Sequence, residues 1–228
     1  MTISRKTWKF ICTTLGLGLL ALSGFLLIHD PDTSSGSTVP PGTILASISP
    51  AGQSLKGTYT LVSSAEVLDG NRGIQMMRPQ SGSAGAITYN FNPGPAWILS
   101  LVDKGRGDIM YVSFYHYLSQ IGWGNHIFSG YRVEFRRDWN KVVLSYANQT
   151  LISADDNVDE NSPVRLSISF NHGTVHVYRA SNLILQYKDT NFDVHASPKD
   201  PQTFFEIGAI NQDSSDTRIV SNIMLKTL

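Results

Sequence analysis

Hydrophobic and polar residues alternate along most of the chain from about residue 57 to the C-terminus. A period of two places successive side chains on opposite faces of a strand, and no segment of ten or more residues has apolar positions at helical spacing. Turn sequences such as NPGP at 92–95, GRGD at 105–108 and NHG at 171–173 separate the alternating runs. The pattern therefore predicts an all-β domain.

The predicted strands number about eleven, which is typical of two sheets packed face to face. They lie at residues 58–64, 85–91, 96–102, 109–115, 131–136, 141–147, 164–170, 174–180, 183–188, 204–210 and 219–226.

The N-terminal part of the chain has a different pattern. Residues 10–28 form an uncharged run of 19 residues, long enough as a helix to cross the roughly 30 Å hydrocarbon core of a bilayer. Arg5, Lys6 and Lys9 precede the run, and the next cation is Lys56. The positive-inside rule then predicts residues 1–9 in the cytoplasm, residues 10–28 as a transmembrane anchor, and the β domain on the far side of the membrane.

Two other interpretations of this segment remain open. A cleaved secretory signal could end at the small-residue site Ala21-Leu22-Ser23, although the apolar run continues past that site to Ile28. A buried core helix is the less favoured alternative, since a terminal apolar run of this length rarely fits a soluble core. The transmembrane anchor and the cleaved signal both export the β domain.

Residues 29–56 are rich in Ser, Thr, Pro and Gly, a composition typical of an extended linker. We predict a stalk here and a β domain at 57–228. Within the stalk, residues 43–49 (TILASIS) are apolar enough for a short strand or a docking segment, so the domain could begin nearer residue 43.

Charge and cysteine content exclude several functions. The chain has 18 basic and 18 acidic residues, and three of the basic ones precede the apolar run. The remaining body is weakly negative and would repel a phosphate backbone, so we expect no nucleic-acid partner. The single cysteine, Cys12, lies in the apolar run, which leaves the β domain without a disulfide or a cysteine-based metal site.

Several segments resemble, in their order and spacing, the concanavalin A-like lectin and glucanase superfamily, including lectin-like domain proteins of large DNA viruses. They are residues 83–87 leading into a strand, 107–109 before an aromatic strand, 130–135 with Asn140 following, and the C-terminal strand 219–225. The resemblance implies a jelly-roll β-sandwich over residues 57–228, closed by pairing of the last strand near the first. It also implies carbohydrate or a glycoprotein as the partner.

The same resemblance argues against a metal site and against catalysis. In legume-type lectins an aspartate two residues after the strand glutamate binds the metal, whereas Arg136 follows Glu134 here. A guanidinium repels a cation and offers no lone pair. Glucanases of this fold place three acids at alternating strand positions, but here Arg136 separates Glu134 from Asp138. A structural ion-pair row that keeps both acids ionised is the simpler interpretation, so we expect no metal, no cofactor and no catalytic residue.

Sugar recognition combines aromatic faces with polar side chains, and both occur in the aromatic stretch 111–128 and at the nearby turns. For Tyr111 and Tyr115, core packing is the favoured interpretation, because aromatics that alternate along a strand usually face inward. For Asp108, a purely structural turn role is an equal alternative. The predicted ligand-binding residues are Asp108, Tyr117, Trp123, Asn125, His126 and Asn140.

One N-glycosylation sequon is present, Asn148-Gln149-Thr150, which would be modified only on a eukaryotic secretory route.

Together, the apolar run, the β domain and the resemblance predict a membrane-anchored, non-enzymatic lectin-like module. A structural or protein-interaction component, for example in a virion membrane, is the first alternative. A glucanase-like hydrolase is the second.

Overall fold

The computed structural model describes residues 40–116, 130–156, 162–192, 204–212 and 216–228. The predicted cytoplasmic segment 1–9 and transmembrane anchor 10–28 lie outside these ranges. Among the described residues no helix is both long and apolar enough to span a bilayer.

The described residues form two antiparallel sheets. The larger sheet has nine strands: β1 (Ile44–Ile48), β2 (Ser54–Lys56), β4 (Glu66–Leu68), β5 (Gly73–Met77), β7 (Ala96–Gly105), β12 (Val164–Asn171), β13 (Thr174–Arg179), β14 (Asn182–Lys188) and β16 (Arg218–Thr227). The smaller sheet has seven strands: β3 (Thr60–Ser63), β6 (Ala84–Tyr89), β8 (Ile109–His116), β9 (Tyr131–Arg136), β10 (Lys141–Tyr146), β11 (Gln149–Asp155) and β15 (Phe204–Ile210).

The strand order differs from the chain order in both sheets, which makes the connections cross between sheets. The larger sheet runs β14-β13-β12-β7-β16-β1-β2, with β5 also paired to β16 and β4 to β5. The smaller sheet runs β11-β10-β9-β8-β15-β6-β3. The all-β sandwich predicted from the alternation is confirmed. The last strand, β16, pairs with β1, whereas the first predicted strand, at 58–64, contains β3 and lies in the smaller sheet.

Aromatic side chains from both sheets fill the core. The Trp97 ring on β7 is fully buried and lies 4.9 Å from the Phe114 ring on β8 and 5.2 Å from the Phe205 ring on β15, measured between centroids. Phe170 on β12 stacks on the same indole at 5.9 Å. These edge-to-face and stacked contacts join the two sheets at their centre.

The sandwich extends further toward the N-terminus than the predicted boundary at residue 57. Ala46 and Ile48 of β1 are buried in the core, and β1 pairs with β16 over Ile44–Ile48. The predicted stalk over 29–56 is therefore wrong for its second half, and the apolar run at 43–49 is a strand. Ser, Gly and Pro around this strand obscured it, while β2 is exposed at all three positions and carries no apolar signal.

A glycine on β15 allows an aromatic ring to lie across the smaller sheet. A Cβ at Gly208 would come within 2.2 Å of the Tyr111 ring, and the two residues are register partners. Tyr111 is held in place by its hydroxyl, which donates a 2.8 Å hydrogen bond to Glu206. The ring therefore has little freedom to move away from a new methyl group.

We expect Gly208→Ala to lower the free energy of unfolding by about 1–3 kcal/mol, the usual cost of overpacking. Without the clash, the same change would stabilise the fold slightly, because alanine restricts the unfolded chain. Urea unfolding of Gly208→Ala alone and in a Tyr111→Ala background measures the coupling. An equal cost in both backgrounds would contradict the steric explanation.

Candidate functional site

The outer face of the smaller sheet carries an unusual set of polar side chains. Outer face here means the side turned away from the core. Because alternation along β9 points Val133 and Phe135 into the core, Arg132, Glu134 and Arg136 lie on this outer face. Side chains from β8, β15 and β10 continue the polar surface on either side.

Arg132 is the central cation of this face. It is only 6% exposed, and its Nε donates a 3.0 Å hydrogen bond to Ser113 Oγ on β8. Its guanidinium carbon lies 4.1 Å from the centroid of the Tyr111 ring, a cation–π contact. An Nη1 to Oε1 distance of 3.6 Å joins it to Glu134. Burial lowers the pKa of Arg132 from its ordinary value, while Tyr111 and Glu134 oppose that shift.

Beneath Arg132 lies a buried acid, Glu206 on β15, which is 1% exposed. It accepts hydrogen bonds from the Tyr111 hydroxyl at 2.8 Å and from Thr88 Oγ1 at 3.3 Å. Burial raises the pKa of Tyr111 well above its ordinary value, and the Glu206 carboxylate raises it further. Tyr111 therefore stays protonated and keeps donating to Glu206, which fixes the ring that Arg132 covers.

The ion-pair row predicted along β9 is confirmed. Glu134 Oε2 lies 3.5 Å from Arg136 Nη1. Arg136 also donates to both carboxylate oxygens of Asp138, from Nε at 3.2 Å and from Nη2 at 2.7 Å. With Arg132 at the other end, two cations and two anions alternate along the row and neutralise one another. Within the described ranges, no three His, Cys, Asp or Glu side chains are grouped closely enough to hold a metal ion.

Trp139 adds an aromatic surface beside this row. It lies in the turn between β9 and β10, and its ring centroid is 3.5 Å from the Arg136 guanidinium carbon. Trp139 is nonetheless 55% exposed, so the contact with Arg136 leaves much of the residue accessible to a ligand. A guanidinium backing one face also restricts the ring to one orientation.

These side chains border a groove of about 260 Å³ on the outer face. We call it the β10 groove. It follows β10, with Trp139 at one end of the strand and Asn148 at the other, a distance of roughly 20 Å for six residues at 3.3 Å each. Its lining consists of Arg132, Glu134, Arg136, Trp139, Val143, Ser145, Asn148 and Thr150.

Two of the predicted ligand-binding residues lie at one end of the sandwich. The Asp108 carboxylate accepts a 2.6 Å hydrogen bond from the Gln212 backbone N–H, and the Asp108 carbonyl accepts one from Arg137 N–H at 2.9 Å. Asn140 closes the β9–β10 turn with φ of +52° and donates its N–H to the Arg137 carbonyl. Both residues therefore have turn-forming roles, and neither borders the β10 groove.

The other four predicted ligand-binding residues, Tyr117, Trp123, Asn125 and His126, lie outside the described residues, so their role stays a prediction. Tyr115 packs in the core between the sheets, as the core interpretation expected. Tyr111 is also buried, but it lies on the outer face of the smaller sheet under Arg132, so the inward-facing interpretation is wrong for it. The Tyr115 hydroxyl accepts a 3.2 Å hydrogen bond from Trp97 Nε1 and donates to the Gly94 carbonyl.

Sequence reasoning found the charged row but overlooked Trp139 as a site residue. The sequence did contain a signal for Trp139, because an aromatic residue follows three charged residues at 136–138. A residue in a turn has no inward face, so such an aromatic is expected at the surface. The contributions of Ser145 and Thr150 depend on the pairing of β10 with β11. That pairing could not be anticipated, because residues 149–155 were not recognised as a strand.

No protein-family model and no curated protein matches this chain. Solved structures do match it in fold. The exoplasmic/lumenal domain of VIP36, bound to Ca²⁺ and Man₃GlcNAc, superposes with a TM-score of 0.65 at 12% identity, covering 81% of this chain and 88% of that one. The potassium-bound carbohydrate recognition domain of Emp46p gives 0.59 at 13% identity, covering 73% and 87%.

A third structure, a Bacillus subtilis protein of unknown function with a galectin-like fold, gives a TM-score of 0.61 at 10% identity, covering 82% and 97%. At these identities the similarity concerns the fold alone. The described domain therefore shares the two-sheet β-sandwich fold of these structures.

Proposed function

We propose that this protein is a non-enzymatic lectin-like module that binds carbohydrate in the β10 groove. The observation that carries the proposal is the exposed ring of Trp139 beside an alternating row of guanidinium and carboxylate groups. A sugar ring stacks its apolar C–H face on an aromatic ring, while its hydroxyls both donate and accept hydrogen bonds. Glu134 supplies acceptors and the two arginines supply donors within one groove.

The fold supports the proposal by analogy. Of the similar structures, the VIP36 domain is bound to Man₃GlcNAc, and the Emp46p domain is a carbohydrate recognition domain. The residues predicted from the sequence to bind ligand, Asp108, Tyr117, Trp123, Asn125, His126 and Asn140, are a separate proposal for the sugar contacts. In the predicted topology, residues 10–28 anchor the module and hold it outside the membrane.

Glycan-array binding by the full chain tests the proposal. We expect saturable binding to a subset of glycans, both in calcium and in EDTA, since Arg136 stands where a metal ligand would be required. Loss of that binding in Glu134→Gln, with unchanged thermal unfolding, would assign it to the β10 groove. If no printed glycan binds under either condition, the lectin proposal is wrong.

An interaction role is the second candidate, and exposed apolar residues on the larger sheet favour it. Large apolar side chains are exposed on strands β1, β2, β4 and β16: Ile44 at 37%, Leu55 at 67%, Val67 at 46% and Met224 at 39%. Cross-linking in the native membrane or particle would reveal stoichiometric protein neighbours on these strands if the role is structural.

Hydrolysis is the least supported candidate. A glucanase site of this fold needs a third acid between Glu134 and Asp138, and Arg136 occupies that position with contacts to both. Turnover of β-glucans by the purified protein, abolished in Glu134→Gln, would be required to revive it.

A further inference from the structure

The sequon of this chain lies at the end of the β10 groove. Asn148 occupies the second position of the two-residue connection between β10 and β11, where Ala147 and Asn148 have φ of +46° and +66°. Two consecutive positive φ values define a type I′ hairpin turn, which asparagine tolerates well. The turn places the Asn148 side chain at the surface.

Two of the three sequon residues also line the groove itself. Asn148 and Thr150 both border it, together with Ser145 on the adjoining strand. A group attached to the Asn148 amide would therefore start at one end of a groove whose other end is Trp139. It would not project from an unrelated surface of the molecule.

We propose that Asn148 carries an N-linked glycan that lies in the β10 groove and competes with external carbohydrate. This inference rests on the proposed function and on the export predicted from residues 10–28. The attached glycan has the same chemistry as the proposed ligand, with hydroxyls for the Arg–Glu row and C–H faces for Trp139. It acts as a tethered competitor that must be removed or displaced before other glycans bind.

The size of the effect follows from tethering. A group held by a short flexible link has an effective concentration on the order of 1 mM. If its own dissociation constant is about 0.1 mM, it weakens the apparent affinity for external glycan about tenfold. The attached glycan also blocks the groove sterically, so the apparent affinity for external glycan falls by at least about tenfold.

The experiment expresses the full chain in a eukaryotic secretory host and compares it with two variants. Asn148→Gln removes the sequon, whereas Thr150→Ser alters the same motif but preserves it. Peptide N-glycosidase treatment and mass measurement report occupancy, and an array of neutral and anionic glycans reports binding. We expect a mass shift for the wild type and Thr150→Ser only, with half-saturation on the array at least about tenfold lower in concentration for Asn148→Gln.

The outcomes separate the two proposals. An unmodified Asn148 in the exported chain overturns the glycan inference, as does equal array binding by the glycosylated protein and Asn148→Gln. In either case sugar binding by Asn148→Gln leaves the lectin function intact. Absence of array binding by both Asn148→Gln and the wild type treated with peptide N-glycosidase overturns both proposals together.

Discussion

Replacing Asp103 with alanine is expected to lower the free energy of unfolding by about 3–5 kcal/mol, the cost of leaving one partner of a buried ion pair uncompensated. Asp103 on β7 is 5% exposed, and Arg218 on β16 is 2% exposed. The arginine donates to both carboxylate oxygens, at 2.9 Å from Nε and 2.6 Å from Nη2, and to the Gly107 carbonyl at 2.9 Å. Removing the carboxylate leaves the guanidinium of Arg218 buried. Of the three contacts just described, only the one to the uncharged Gly107 carbonyl is then left.

An exposed ion pair in the same end of the sandwich provides the control. Arg137 and Asp216 lie 3.2 Å apart, but their side chains are 36% and 44% exposed. Solvent screens such a pair, so Asp216→Ala should change stability by less than about 1 kcal/mol. Urea unfolding of both variants makes the comparison, and similar costs would show that burial is not what gives the Asp103 pair its importance.

Replacing both members of the buried pair tests the same idea from the other side. In Asp103→Leu with Arg218→Met no charge remains to be desolvated, so the double variant should be more stable than Asp103→Ala. A double variant as unstable as the single one would instead indicate that the arginine is needed to hold the β7–β8 turn at Gly107.

Whether a strand of this fold could be predicted from the sequence depends on how its apolar residues are spaced along the strand. Strands that face the core on one side, such as β8, β9 and β12, alternate clearly and were predicted to within a residue or so. β2 and β11 have no fully buried position, so no alternation marks them, because an edge strand needs no apolar face. β4 and β5 were missed as well, and β5 is buried at four of its five positions, which leaves no alternation to predict it from. Of the residues that line the groove, Thr150 lies on β11, and its place beside Ser145 was missed for this reason.

The charged row shows the opposite case. The two-residue spacing of Glu134, Arg136 and Asp138 predicted that their side chains lie on the same face. The ion pairs of Arg136 with both acids confirm this prediction. Spacing within one strand says nothing about neighbours on other strands, however. Glu206 and Tyr111, which position Arg132 from below, come from β15 and β8, 95 residues apart in sequence. Only the pairing of those strands brings them together.

Trp139→Ala is expected to weaken glycan binding at least about fivefold while leaving the unfolding midpoint nearly unchanged. Stacking an apolar face on an aromatic ring contributes about 1–3 kcal/mol, and a change of 1.4 kcal/mol corresponds to tenfold in affinity. The ring is 55% exposed and lies outside the core. Its contact with Arg136 contributes only about 0.5–1 kcal/mol at such an exposed site.

Leu183→Ala is the matched control, because Leu183 is a similarly exposed apolar side chain, at 48%, on β14 of the other sheet. Trp139→Phe adds a second comparison, since a smaller ring keeps a stacking face and should retain part of the affinity. Titration calorimetry with the best array glycan measures all three variants. If Trp139→Ala binds as tightly as Leu183→Ala, the sugar does not stack on Trp139. Tyr117, Trp123, Asn125 and His126, which lie outside the described residues, would then be the candidates to substitute next.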